Sequence, residues 1–373
     1  RIEDAGLLRR LRRAEGGGEP GAGHAGRDGE HNGDSDKGVS GHRGIISQQG
    51  GPAALRRGSV MMFVPASGAS GQVAAVSSND KPYKGLKTIT DFVRWGASRF
   101  SAAGLHYGHG TDNPVDEALV LVRHALHLGH DLPTEFYDAR LTRAERKAVA
   151  GLFERRIEER LPAPYLVGEA WFAGLPFHVD PRVLIPRSPF AELAAHGFRP
   201  WLREDGVTRV LDLCTGSACI AVACAVAFPA ARVDAVELSP GALEVARRNV
   251  ARHGLEDRVH LLEGDLWQPA AGRRYELIVS NPPYVGDAEM AALPPEYRHE
   301  PDLALRAADD GLAIVRRILE GAADYLCEEG VLVVEVGSSA AAVMETWPDL
   351  PFTWLEFEHG GSGVFLLTAE ELG

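Results

Sequence analysis

Between Thr88 and Arg160 the apolar residues recur every three or four positions, the period of helices with one buried face. Ile89, Phe92, Val93 and Phe100 form the first stripe, and Thr88 followed by Asp91 three residues later is a capping signal in front of it. Asn113-Pro114 opens a second helix, a capping residue followed by proline at the first helical position. Asp116 and Glu117 favour its positive end, and Ala118, Val122 and Leu126 give its buried stripe. Thr142 and Glu145 make a capping box for a third helix, with Val149, Leu152, Phe153 and Ile157 expected to face inward. Residues 85–161 therefore read as a small helical domain.

The period then changes. Over residues 162–192, Trp171, Phe172, Phe177 and Val179 flank Ala173-Gly174, which predicts a β-hairpin linker. Residues 193–373 alternate short apolar strands with helices: strands at Arg209–Leu213, Ala231–Glu237, Val259–Glu263, Tyr275–Ser280 and Val331–Val336. Ser239-Pro240 caps one intervening helix, an Ala-rich helix runs to Phe228, and Gly311–Leu326 is helical. Such alternation implies a parallel sheet covered on both faces. Phe352–Phe357 and Val364–Leu367 around His359-Gly360-Gly361 add a terminal antiparallel hairpin. The expected fold class is α/β, a Rossmann-like sheet with a helical domain and a hairpin linker in front of it.

Composition separates the start of the chain from the rest. Residues 1–60 hold 15 of the 42 glycines and no Phe, Trp or Tyr, too little apolar surface to offset chain entropy. Residues 1–84 are therefore expected to be a disordered Gly-rich leader, with Met61 or Met62 as the native start. After position 60 there are 44 Asp and Glu against 29 Lys and Arg. That balance argues against a wide groove for nucleic-acid phosphates, and suits either a basic protein partner or simple solubility. No run of 18 apolar residues is present, and Cys214, Cys219, Cys224 and Cys327 form no CxxC pair, so buried reduced thiols of a cytoplasmic protein are expected.

Candidate chemistry lies where a doubly wound sheet presents its ligands, at the carboxyl ends of consecutive strands. The small-residue turn Asp212-Leu213-Cys214-Thr215-Gly216-Ser217-Ala218 lets a ligand approach the backbone, though an ordinary βα turn has the same composition. It carries neither GxGxxG nor a Walker lysine, so it is no phosphate cradle. Glu237 ends the second strand, where a carboxylate can accept from both ribose hydroxyls or simply favour the helix that begins at Pro240. Asp265 follows the third strand and can receive an adenine amino group, or can cap its own turn.

Asn281-Pro282-Pro283-Tyr284 is the specific signal. Two prolines hold the backbone extended after a buried strand. The Pro282 carbonyl and the Asn281 side-chain oxygen then offer two acceptors for the two hydrogens of a planar NH₂ group, with Tyr284 as a flat wall. An amide nitrogen is a poor nucleophile, and a grip on both N–H bonds orients it and stabilises the positive charge that develops on it. No catalytic histidine and no metal set is assigned; His106, His109 and His299 are expected to serve packing or substrate contacts.

From about Lys87 to Leu367 the chain resembles the HemK/PrmB family of protein N(5)-glutamine methyltransferases. Asp212 to Ser217, Glu237, Asp265, Asn281 to Tyr284, Ile185-Pro186-Arg187 and Glu192 carry the resemblance. The PrmB type is the nearer one, through Tyr107 to Asn113, Ser188-Pro189 and Glu296 to Pro301. The resemblance implies S-adenosylmethionine as cofactor and ribosomal protein uL3 as the basic protein partner, with a glutamine amide as the methyl acceptor. It implies cofactor contacts from Arg187, Asp212, Thr215, Gly216, Ser217, Glu237, Leu238, Asp265, Leu266 and Asn281, and catalysis by Asn281, Pro282, Pro283 and Tyr284. By the same analogy the helical domain and hairpin recognise the protein substrate. Two positions depart from the family pattern: Ala218 stands for a second glycine, strained there if the position needs positive φ and of small cost at a helix start, and Glu237 stands for a more usual Asp. Release-factor glutamine methylation, the HemK specificity, is the near alternative. Adenine-N6 methylation shares the Asn-Pro-Pro-Tyr device but lacks support from a basic recognition domain, and a non-catalytic assembly factor would have no use for the complete motif.

Overall fold

The computed structural model describes residues 82–373; the leader through Lys81, Met61 and Met62 included, lies outside them. Helix α1 (Ile89–Ala102) begins with a capping box in which Thr88 accepts from the Asp91 amide and Asp91 accepts from the Thr88 amide. Helix α2 (Pro114–Ala125) is capped by Asn113, and α3 (Arg143–Glu158) by the Thr142–Glu145 box. Phe92, Phe100, Leu121, Val122, Val149 and Phe153 interlock as one buried cluster. Gly96 of α1 admits the Phe153 ring, which a Cβ there would meet at 2.5 Å.

Tyr83 packs 6.2 Å from the Phe92 ring and 6.0 Å from Trp95, so ordered packing starts before residue 85. One helix face differs from the expected stripe. Leu152 is only half-buried and stands outside the cluster, whereas Arg156 one turn later is 1% exposed. Burial of that cation depends on acids brought in from distant segments, described below.

After the short α4 (Ala163–Val167), strands β1 (Glu169–Phe172) and β2 (Leu175–His178) pair antiparallel. Ala173 and Gly174 both take positive φ, 49° and 74°, the conformation a two-residue hairpin turn requires. Helix α5 (Phe190–Ala195) leads into the main sheet of β3 (Arg209–Leu213), β4 (Arg232–Glu237), β5 (Val259–Glu263), β6 (Tyr275–Ser280), β7 (Leu326–Glu335), β8 (Thr353–Trp354) and β9 (Val364–Thr368). The order is β5-β4-β3-β6-β7-β9-β8, with β3 to β7 parallel and β9 antiparallel to both neighbours.

Alternation along the strands sends Val210, Val233, Leu277 and Val333 to one face, under α6 (Cys219–Ala227). Leu211, Leu213, Ile278 and Leu332 go to the other, under α8 (Ala313–Tyr325), while α7 (Pro240–Arg252) packs its Ala246 and Val250 on the α6 side. The progression of strands reverses between β3 and β6, which opens a crevice at their carboxyl ends. No helix among the described residues is long and apolar enough to cross a membrane.

Candidate active site

Three turns at the strand ends are tied to one another. After β3 the backbone passes through positive φ at Cys214, Gly216 and Ala218 (61°, 55° and 63°). The Thr215 hydroxyl donates to Asp212 at 2.5 Å and its amide donates to the Val236 carbonyl at 3.0 Å. Glu237, 9% exposed at the end of β4, accepts the Gly216 amide on one oxygen at 2.9 Å and the Ser239 amide on the other at 2.8 Å. The Gly264 amide after β5 donates to the Glu237 carbonyl at 3.0 Å. Ala218, at the start of α6, therefore carries the left-handed conformation that favours glycine, the strained one of the two alternatives.

These turns border a cavity of about 1060 Å³ including its open mouth. Thr215, Gly216, Ser217, Glu237, Leu238, Asp265 and Leu266 line it, and so do Asn281, Pro283 and Arg187. Asp265 meets it while paired with Arg317 at 2.8 Å. Three expected site residues stand off this wall. Strand alternation turns Asp212 toward the α6 face, where it is fully buried beneath the Thr215 turn. Pro282 is buried between two lining residues. Tyr284 faces away from the cavity, its hydroxyl 3.3 Å from Glu335 and its carbonyl accepting from Ser339 at 2.9 Å.

Other contributors had no motif to announce them. Ile220 and Ile314, from segments that read only as helix, and Leu303, from a segment with no element assigned, supply apolar wall. Glu335 was legible only as the single acid within the apolar run Val331–Val336. Arg187 reaches the cavity with its charge already matched by Glu300, at 2.6 and 2.8 Å, and lies over the Tyr297 ring at 5.3 Å. His109 sits behind that pair, 2% exposed, 3.6 Å from Glu300 and 4.5 Å from the Tyr297 ring. His299 bonds the Glu159 carbonyl, and the His106 ring lies tilted 5.6 Å from that of Tyr297. The same loop sends Glu296 into the helical unit, where Arg156 bridges it to Glu117 and Arg160 adds a second cation at 3.2 Å.

Electrostatics differ between wall and loop. Burial pushes Asp212 up to about 7 against the lowering effect of the Thr215 hydroxyl. Burial also raises Glu237, outweighing the Ser239 and Gly216 amides, and raises Glu335 despite its donors. Burial alone raises Glu300 as well, but the His109 ring and the Arg187 guanidinium outweigh it and bring it to about 2.

The sheet order and a cavity at its switch point are those of a Rossmann-like α/β methyltransferase, and residues 198–293 match the family described as Methyltransferase small domain. A ribosomal protein uL3 glutamine methyltransferase of Xanthomonas campestris pv. campestris is 52% identical over 77% of this chain and 93% of its own length. One from Bordetella pertussis is 51% identical over 77% of this chain and 97% of its own. A crystallographic methyltransferase from Pyrococcus furiosus aligns with a TM-score of 0.40 at 20% identity, over 52% of this chain and 89% of that one. The chain belongs to the family of ribosomal protein uL3 glutamine methyltransferases.

Proposed function

We propose that this methyltransferase transfers a methyl group from S-adenosylmethionine to the side-chain amide nitrogen of a glutamine in ribosomal protein uL3, in the cytoplasm. The observation that carries the reading is Asn281, held on the cavity wall at the end of β6 with Glu237 across the same cavity. The residues present fit the cofactor. Each Glu237 oxygen accepts one backbone N–H and keeps a lone pair for a ribose hydroxyl. Leu238, Leu266 and Ile314 offer apolar contact for a purine, with Asp265 beside them for its amino group. Glu237, held there by backbone amides without a cationic hydrogen-bond partner, favours a positively charged ligand. The cofactor supplies a methyl group activated by a sulfonium centre.

The chain's own residues orient the acceptor. The Asn281 side-chain oxygen takes one N–H of the substrate amide, and the carbonyl of neighbouring Pro282 is the second acceptor. Both bonds strengthen as positive charge grows on the nitrogen, so they stabilise the transition state more than the bound substrate. The proton leaves after transfer, so no strong base is needed. Residues 85–161 and the hairpin 162–192 bind the protein substrate, and 193–373 form the catalytic domain; the acidic balance after residue 60 complements a basic ribosomal protein.

Asn281→Ala tests the reading with purified uL3 and methyl-labelled cofactor. We expect turnover to fall roughly 10²–10³-fold while the cofactor Kd stays within about threefold. Unchanged turnover overturns the amide grip; label that enters release factor or DNA in place of uL3 overturns the substrate.

A further inference from the structure

We infer that Glu335 is a positioning residue for the transfer: its carboxylate, next to Asn281 at the sheet edge, fixes which way the Asn281 carboxamide faces. The inference rests on the amide grip proposed above. Ser280 of β6 and Val334 of β7 are partners in parallel register, so Asn281 and Glu335 are the next residues along neighbouring strands. Glu335 is 7% exposed and absent from the cavity wall, so it does not reach the substrate. A carboxyl group buried to that degree is costly unless donors converge on it.

Three side chains do. The Ser188 hydroxyl lies 2.5 Å from one oxygen, and because Ser188 Oγ already accepts the Phe190 amide at 3.1 Å, its proton goes to Glu335. The Tyr284 hydroxyl lies 3.3 Å from the other oxygen. The Asn281 side chain, one residue beyond the Ser280–Val334 pair, lies beside the same carboxylate and favours its ionised form. Only the NH₂ end of a carboxamide can bond to a carboxylate, so the Asn281 oxygen is left for the cavity side. Without Glu335 the carboxamide is free to turn over, and would then present its own N–H bonds to those of the substrate, donor against donor. The Tyr284 ring is fixed from below as well, since a Cβ at Gly337 would come within 2.6 Å of it. One carboxylate thus ties the Arg187-Ser188 turn, the Asn281 to Tyr284 turn and β7 together.

Glu335→Gln keeps the shape but offers one acceptor oxygen where two were used. We expect kcat to fall roughly 10–100-fold, the loss typical of a misplaced reacting group, with the KM for uL3, the cofactor Kd and the unfolding midpoint close to wild type. The discriminating measurement is the double-mutant cycle with Asn281→Ala. If Glu335 acts through Asn281, Glu335→Gln changes the residual turnover of Asn281→Ala by less than about threefold. An equal loss in both backgrounds, or full kcat in Glu335→Gln beside an inactive Asn281→Ala, overturns the positioning role and leaves the grip intact. Full activity of Asn281→Ala overturns the grip itself. Should Glu335→Gln fail to fold, Ser188→Ala removes one donor, keeps the carboxylate, and carries the same cycle.

Discussion

Where the helical unit meets the sheet, Glu117, Glu296 and Glu300 are buried against arginines; around the cavity, Asp212, Glu237 and Glu335 are buried against neutral donors. The outcomes have opposite sign. Glu296 and Glu300 ionise more readily than a free glutamate: burial raises both, but for Glu296 the His106 amide with Arg160 and Arg156, and for Glu300 His109 with Arg187, prevail. Asp212, Glu237 and Glu335 ionise less readily because hydroxyls and amides do not offset their burial. At the junction with the helical unit, charge is matched within the protein and serves cohesion. On the cavity wall the matching is mixed: Arg317 matches Asp265 and Glu300 matches Arg187, whereas Glu237 is held by backbone amides alone, so its burial costs stability.

The largest effect should come from removing a matched cation. Arg156→Met leaves Glu117 and Glu296 facing each other's vacated partner, and urea unfolding should report a loss of about 3–5 kcal/mol. Glu117→Gln added to that variant should restore part of the loss, since the cost is the orphaned charge. A loss below about 1 kcal/mol would mean that the ion network contributes little to cohesion.

Next in size is a pair of opposite pH dependences. Asp212 has a raised folded-state pKa of about 7, so the folded protein holds a proton that the unfolded chain releases near 3.9. Stability contributed there falls as pH rises from about 4 to 7, by about 3–4 kcal/mol. Without cofactor, Asp212→Asn should gain on wild type across that window and level off above it. Glu300, lowered to about 2, behaves in the other sense. Its stabilisation is complete above the unfolded value near 4.3 and is lost as pH falls toward 2. The wild type should lead Glu300→Gln above about pH 4.3 and lose that lead as acid is added. Parallel slopes for the two variants would erase the distinction between the two regions.

Much of the frame was legible because local and tertiary preferences agree. Val259–Glu263 and Tyr275–Ser280 read as strands with the observed bounds, as apolar runs ended by turn residues. Thr88, Asn113, Thr142 and Ser239 each cap the helix they announce. The misses share a cause. Arg156 turns inward because Glu296 comes from 140 positions away, and no helical period encodes that partner. Strand β7 starts at Leu326, five residues before the apolar run, because Leu326 pairs with Tyr275 although Glu328 and Glu329 are exposed. Asp212 leaves the cavity wall because strand alternation, not motif membership, sets its direction. Glu335 has no motif and is defined by register with β6.

The smallest predicted effect concerns Ala218, in the β3 turn with φ 63° and ψ 22°. A side chain in this conformation costs roughly 1–2 kcal/mol relative to glycine. Glycine would relieve that strain but would forfeit a fully buried methyl, worth about 0.8 kcal/mol, and would loosen the unfolded chain by about 0.4–1 kcal/mol. The opposing contributions nearly cancel, which accounts for alanine at a position that favours glycine. Ala218→Gly should therefore shift unfolding free energy by less than about 1 kcal/mol. Cofactor affinity should not change, because Ala218 does not line the cavity while Ser217 and Cys219 on either side do. A stabilisation above about 2 kcal/mol in urea titration would show that the turn stores its strain in full, and would move this residue to the side of the molecule where stability is given up for the site.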